Sequence, residues 1–213
     1  MVAAAIAAAF GARGERVRAF KPVLTGTDEP PESAWPPDDE LLAAAAGQEA
    51  ATVAPYRFGP PVSPHLAAEL AGEAIDPATL LAGARGAAVD ADALVVEGVG
   101  GLLVPLTPRY LVRDLARELA LPLVIAARPG LGTINHTLLT LEAARAAGLR
   151  VAGVVLTPWS SPSAMEESNR ATIAALGAVD VATLAPLSEA TPAALAAAGA
   201  SLPLDAWLGS PMA

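Results

Sequence analysis

Hydrophobic segments of two kinds alternate along the chain and predict the order of its strands and helices. Short apolar runs such as Ala93–Val96, Leu123–Ala127 and Val151–Leu156 have the length and composition of strands buried in a parallel sheet. Longer alanine-rich segments, several of which end at glycines, lie between them and predict helices. This alternation indicates βαβ units, so we expect an α/β fold with a mostly parallel, doubly wound sheet, in a single domain over residues 1–213.

The remaining elements follow from the same periodicity and from the residues at their boundaries. Asp38 is the predicted N-cap of the helix that starts at Glu40, and Gly199 is predicted to end a later helix. Residues 27–39, where prolines stand among acidic side chains, and residues 55–64 are predicted to be irregular. The predicted helices are 1–13, 40–46, 65–71, 77–88, 111–120, 132–147, 163–176 and 191–198, with further strands at 17–20 and 181–184 and a turn at 204–208.

Composition and charge narrow the classes of function. The formal net charge of −9 argues against a nucleic-acid partner, because phosphate-backbone binding draws on clustered lysine and arginine. The chain has no cysteine, which excludes disulfides, thiolate metal sites and cysteine nucleophiles. The longest apolar run, Met1 to Phe10, is about half as long as a membrane-spanning helix and follows no basic segment. We therefore expect a cytoplasmic protein without membrane contact.

A carboxylate followed by glycines stands at the end of the central apolar run, in the sequence Val95-Val96-Glu97-Gly98-Val99-Gly100-Gly101. Open α/β sheets place their ligands at the carboxyl ends of strands, and glycines let the backbone approach a ligand closely. A carboxylate at this point is suited to hold a Mg²⁺ ion that accompanies a nucleotide. The alternative is a glycine-rich turn after a core strand, in which Glu97 only caps the loop.

Other polar residues are predicted to lie at the same edge of the sheet. Lys21 and Thr25 follow the first strand in a loop, and Thr157 follows a later strand. A lysine, a threonine and acidic groups near one site suit phosphoryl transfer, although an ordinary surface lysine is the alternative. Gly132 and Thr133 open a helix whose free N–H groups attract a carboxylate or phosphate, unless the threonine is only a conventional cap.

Motifs in this order and spacing resemble those of the dethiobiotin synthase family. They are Lys21-Pro22-Val23-x-Thr25-Gly26, Ser63-Pro64-His65, Val96-Glu97-Gly98-x-Gly100-Gly101 and Gly132-Thr133-Ile134-Asn135-His136. The resemblance implies a P-loop NTPase-like α/β homodimer that acts as a ligase in biotin biosynthesis, with its substrate site at the dimer interface. Members of the family use ATP, Mg²⁺ and CO₂ to close the ureido ring of dethiobiotin on 7,8-diaminononanoate.

The resemblance also implies a role for each matching residue. Lys21 would hold the carbamate and the transferred phosphoryl group, and Thr25 would hydrogen-bond the carbamate. Glu97 and Asp38 would bind Mg²⁺ beside the ATP, with Asp39 as the alternative to Asp38. Gly100 and Gly101 would let the loop approach the phosphates, and Pro64 would line the substrate cleft. Thr133, Ile134 and Asn135 would bind the distal carboxylate of the substrate. Thr157 would recognise the adenine.

The chain departs from the family pattern in two places. Thr157 stands where the family usually has asparagine, and a threonine lacks the paired donor and acceptor of an amide. No Gly-x-x-x-x-Gly-Lys-Thr loop occurs in the sequence, and the helix around Val2 resembles the one that follows that loop.

We therefore expect the chain to start downstream of a central strand and P-loop. The cause would be a misassigned start codon, a boundary chosen when the gene segment was expressed, or real loss of the strand and P-loop from the protein. A non-catalytic dimeric remnant that binds a carboxylate ligand is an alternative from a different class. A P-loop protein related to cobyrinic-acid synthases is a further alternative.

Overall fold

The computed structural model describes residues 1–29 and 35–209, so part of the predicted acidic loop lies outside the described residues. The helices are α1 (Val2–Ala12), α2 (Asp38–Ala46), α3 (Pro64–Ala71), α4 (Pro77–Ala88), α5 (Val112–Leu119), α6 (Thr133–Ala146), α7 (Ala164–Gly177), α8 (Pro192–Ala200) and α9 (Leu204–Leu208). The strands are β1 (Val17–Phe20), β2 (Val23–Thr25), β3 (Tyr56–Phe58), β4 (Ala93–Val96), β5 (Pro105–Thr107), β6 (Tyr110–Leu111), β7 (Leu123–Ala127), β8 (Val151–Leu156) and β9 (Val181–Thr183). None of the described helices is long and apolar enough to cross a membrane.

The pairing of the strands confirms the predicted α/β class. β1 pairs in parallel with β4, β2 pairs in parallel with β3, and β7, β8 and β9 form a parallel three-stranded sheet. The hairpin of β5 and β6 is antiparallel. Phe20 at the end of β1 lies opposite Val96 at the end of β4, so the residues that follow both strands meet at one edge.

Small side chains allow the helices around α1 to pack closely. Ala4 and Ala7 of α1 are fully buried in the core that α1 shares with α2 and α8. The prediction that Gly199 ends its helix is wrong, because Gly199 lies inside α8 and is buried against α1. A Cβ at this position would lie 2.0 Å from the carbonyl oxygen of Ala5, so this contact requires glycine.

An apolar groove separates β4 from β7. Within the described residues, β4 pairs only with β1 and β7 only with β8, so each strand has one free edge. The groove between them, called here the β4–β7 groove, has a volume of about 820 Å³ and is lined by both strands and by side chains of α1 and α5. The sequence predicts that β4 is buried on both faces, whereas its four residues are only partly buried because they face this groove.

The other wrong predictions concern short strands and one helix boundary. Val23–Thr25 is predicted as a loop but forms β2, and its partner Tyr56–Phe58 lies in a segment predicted to be irregular. Strands of three residues are too short to show a periodic pattern. Asp38 is the first residue of α2 rather than its N-cap, which is Pro37. The β5–β6 hairpin is absent from the predicted elements for the same reason of length.

Candidate active site at the ends of β1 and β4

A lysine and two carboxylates meet where β1 and β4 end. Lys21 directly follows β1 and Glu97 directly follows β4, so the parallel pairing of these strands places the two side chains together. The Nζ of Lys21 donates a hydrogen bond to Glu97 Oε1 at 2.7 Å and lies 2.8 Å from Oδ2 of Asp38 in α2. We call these three residues the Lys21 cluster. The sequence contains no other lysine.

The environment of Lys21 keeps its side chain charged. Burial lowers the pKa of the ammonium group, but the Glu97 and Asp38 carboxylates more than offset this, so the pKa lies above its ordinary value of 10.5. The raised pKa of Lys21 therefore contributes stability at neutral pH, and this contribution is lost as the pH rises above 10.5 through the folded-state pKa. A permanently charged ammonium suits the binding of an anion rather than the removal of a proton.

Asp38 and Glu97 have the chemistry of a magnesium site. Carboxylate oxygens are preferred ligands of Mg²⁺, which is commonly bound by one or two carboxylates together with substrate phosphates and water. The two carboxylates converge on the same nitrogen atom, and both side chains are partly accessible to solvent. The described residues contain no cluster of three or more His, Cys, Asp or Glu that could hold a metal. The donor set of Asp38 and Glu97 therefore fits a Mg²⁺ ion whose remaining ligands are phosphate oxygens and water.

Asp39, the predicted alternative to Asp38 as a metal ligand, forms its ion pair outside the Lys21 cluster. Its side chain is only 2% exposed and forms an ion pair with Arg57 of β3. Successive residues of an α-helix are rotated by about 100°, so adjacent aspartates in the first turn of α2 face different directions. The structure thus brings Asp38 to Lys21 and Glu97, and takes Asp39 elsewhere.

Gly100 and Gly101 place the loop after β4 beside the β4–β7 groove. Both glycines line this groove together with the three residues of the Lys21 cluster. Gly100 has a φ of +65°, a conformation that side chains disfavour, and a Cβ there would lie 3.0 Å from Val104 Cγ2. The groove is therefore continuous with the Lys21 cluster at the carboxyl ends of the strands.

The loops that carry Thr25 and Pro64 contact each other. Thr25 ends β2, and Pro64 is the buried first residue of α3. The backbone N–H of Gly26 donates to the Pro60 carbonyl at 3.1 Å, which joins the loop after β2 to the loop before α3. Thr25 is partly exposed at this edge of the fold.

Thr133, Ile134 and Asn135 form the first turn of α6 and do not line the β4–β7 groove. Gly132 precedes the helix with a φ of +90°, and no side chain caps the free N–H groups of the first turn. The buried Asn169 of α7 donates from Nδ2 to the carbonyl of Pro129 at 2.9 Å and holds the loop before α6. No spacing in the sequence signals Asn169, which lies far along the chain from that loop.

Thr157 is not part of the Lys21 cluster either. It follows β8, and its backbone N–H donates to the Ala127 carbonyl at 2.9 Å. Its Oγ1 is buried and has no hydrogen-bond partner among the described residues. The hydroxyl is therefore turned into the protein rather than toward the groove.

Comparison with known proteins finds relatives that share one name. A family model described as an AAA domain matches residues 1–193. A protein named ATP-dependent dethiobiotin synthetase from Haloferax mediterranei is 39% identical over 201 residues, which cover 92% of this chain and 83% of that protein. Proteins of the same name from Anaeromyxobacter dehalogenans strain 2CP-1 and Agrobacterium fabrum are 44% and 41% identical, over 76% and 83% of this chain and 73% and 77% of their own lengths.

Proposed function

The chain belongs to the dethiobiotin synthetase family, and from this premise we propose that it closes 7,8-diaminononanoate with CO₂ to dethiobiotin, using ATP and Mg²⁺. It is then a ligase that forms carbon–nitrogen bonds in biotin biosynthesis. The observation that carries the proposal is the buried ammonium of Lys21 at the end of β1, which lies within 2.8 Å of Glu97 at the end of β4 and of Asp38 at the start of α2. Such an arrangement binds anions and a divalent cation at one point, as phosphoryl transfer requires.

The Lys21 cluster and Thr25 would bind the two anionic reactants, which are the carbamate and ATP. One amine of the diamine takes up CO₂ as a carbamate, whose oxygens are attracted by the fixed charge of Lys21 and hydrogen-bonded by Thr25. The carbamate oxygen then attacks the γ-phosphorus of ATP and ADP leaves, while Lys21 stabilises the charge on the transferred group. The second amine attacks the carbamoyl carbon, phosphate leaves and the ring closes. Asp38 and Glu97 would hold the Mg²⁺ ion, which would supply positive charge to the phosphates.

We include in this proposal an additional strand and phosphate-binding loop in the β4–β7 groove. The free edges of β4 and β7 face the same groove. A strand that paired in parallel with β4 at this position would end beside Lys21 and Glu97. The sequence itself has no glycine-rich loop ending in Gly-Lys-Thr. Backbone N–H groups of such a loop would supply phosphate contacts beside the Lys21 cluster.

Product formation by two versions of the chain tests the proposal. We expect the 213-residue chain, given diaminononanoate, bicarbonate and MgATP, to release phosphate at background level. The same chain extended by the translated sequence upstream of Met1 should form dethiobiotin at least about 10³-fold faster, because pre-organised phosphate donors are restored. The measurements are phosphate release and mass spectrometry of the product, and Glu97→Gln in the extended chain is the inactive control.

Each of the opposite results contradicts one part of the proposal. An extended chain that forms no dethiobiotin refutes the enzymatic function, and calorimetric binding of diaminononanoate without ATP affinity would then favour the non-catalytic carboxylate-binding protein. Dethiobiotin formed equally fast by the shorter chain refutes the need for an added strand in the β4–β7 groove.

Exposed leucines next to the first turn of α6 support a homodimer with the substrate carboxylate at its interface. Leu131 is 95% exposed and Leu139 is 55% exposed, so two large apolar side chains near the start of α6 are accessible to a second copy of the chain. We expect the double variant Leu131→Asp, Leu139→Asp to be monomeric by light scattering. Val89→Asp, a change at an exposed position in another part of the fold, is the matched control. A double variant that stays dimeric would place the interface elsewhere.

A further inference from the structure

Asp39 and Arg57 form a charged pair next to the Lys21 cluster that has no part in the proposed chemistry. Asp39 is buried, and its Oδ2 accepts a hydrogen bond from Arg57 Nη1. The other carboxylate oxygen, Oδ1, is also buried, and no donor among the described residues bonds to it. A buried carboxylate with an unpaired oxygen is costly, and apolar residues of similar size commonly stabilise such a position better. Stability alone is therefore a poor explanation for this aspartate.

The ion pair connects the helical turn that carries Asp38 to a neighbouring strand. No side chain caps the start of α2, so its first turn is not fixed by capping. Asp39 ties that turn to β3, in which Arg57 lies opposite Leu24 of β2. With Asp39 held there, the helical rotation of about 100° directs Asp38 toward Lys21. The side chain of Asp38 is 51% exposed, so packing around the side chain does not hold it in place.

We propose that Asp39 and Arg57 are positioning residues, which hold the first turn of α2 so that Asp38 stays beside Lys21 and is ready to bind the divalent cation. They act through Asp38 and touch neither the cation nor the substrates. The part of this inference that concerns the cation rests on the proposed function. The part that concerns the contact between Asp38 and Lys21 does not depend on that function.

The absence of any other lysine provides a direct readout of the Lys21 cluster. Protein labelled with ¹⁵N-lysine gives one side-chain ammonium resonance, which belongs to Lys21. In Asp39→Asn, which keeps the shape and removes the charge, we expect this resonance to move toward the position of an exposed lysine. Arg57→Gln should have the same effect. Glu40→Gln removes a charge from an exposed residue in the same turn and should leave the resonance unchanged.

A titration with Mn²⁺ then tests the effect on the cation without any activity measurement. Bound Mn²⁺ broadens the Lys21 resonance, and the concentration for half broadening should rise about tenfold in Asp39→Asn, as for other residues that orient metal ligands. Glu40→Gln should stay within about twofold of the unmodified protein, because its side chain orients no ligand. In the extended chain, the same substitution should raise the Mg²⁺ requirement more than it lowers kcat.

The results separate positioning from a merely structural role. An unchanged resonance in folded Asp39→Asn and Arg57→Gln overturns the inference, and if Asp39→Asn fails to fold, Arg57→Gln alone decides. A shifted resonance with unchanged Mn²⁺ titration overturns the part that concerns the cation. Absence of dethiobiotin formation by the extended chain refutes the proposed function, yet it leaves the resonance shifts of these variants as they are, so the two failures are distinguishable.

Discussion

Replacing Lys21 with methionine is expected to lower the rate of dethiobiotin formation by the extended chain by at least about 10³-fold. Methionine keeps much of the length and apolar character of the lysine stem but cannot attract the carbamate or the transferred phosphoryl group. The substitution also leaves the Asp38 and Glu97 carboxylates facing each other without a cation. Loss of one partner from a buried ion pair costs about 3–5 kcal/mol, and the partial exposure of Asp38 reduces this to about 2–3 kcal/mol.

Urea unfolding of the 213-residue chain at neutral pH measures this effect on stability, independently of activity. Adding Glu97→Gln to Lys21→Met should restore part of the lost stability, because it removes one of the two uncompensated carboxylates. Lys21→Arg keeps the charge and should unfold closer to the unmodified protein, but its planar guanidinium does not reproduce a point charge at the phosphoryl group. A Lys21→Met protein of unchanged stability and rate would show that the Lys21 cluster is a surface ion pair without function.

Replacing Gly199 with alanine is expected to destabilise the fold by about 3 kcal/mol, since overpacking in a close contact typically costs 1–3 kcal/mol and here involves the main chain. The added Cβ would lie 2.0 Å from the Ala5 carbonyl oxygen and 2.8 Å from the Ala9 Cβ. Rotation of a side chain does not relieve a collision with backbone, so α8 must move away from α1. That movement opens the core that contains the alanines of α1.

Gly11→Ala, a change in α1 at a position that faces α2, provides the matched control. The nearest atom to a Cβ at Gly11 is the Ala45 oxygen at 3.9 Å, which is an ordinary contact. Alanine is the better helix former, so this variant should be about 0.5–1 kcal/mol more stable than the unmodified protein. Urea unfolding of both variants measures the difference. Equal stability of Gly11→Ala and Gly199→Ala would contradict the close approach of α8 to α1.

The sequence by itself determined the class of the fold and the meeting of Lys21 with Glu97. The apolar runs that became β4, β7 and β8 are long enough to show their pattern, and the helices between them are long enough to show theirs. Lys21 and Glu97 each follow a strand directly, so parallel pairing alone brings them to one edge. The family assigned from the motifs is confirmed by the relatives, while the roles of the individual site residues stay predictions.

Only the tertiary structure decided which aspartate faces Lys21. Asp38 and Asp39 are identical in type and adjacent in the chain, and the choice between them depends on Arg57, which comes from a different strand. The place of Gly199 inside α8 and the partial burial of β4 were likewise decided by neighbours distant in the sequence. A local pattern reports the period of one segment, whereas these features depend on which segments come to lie against each other.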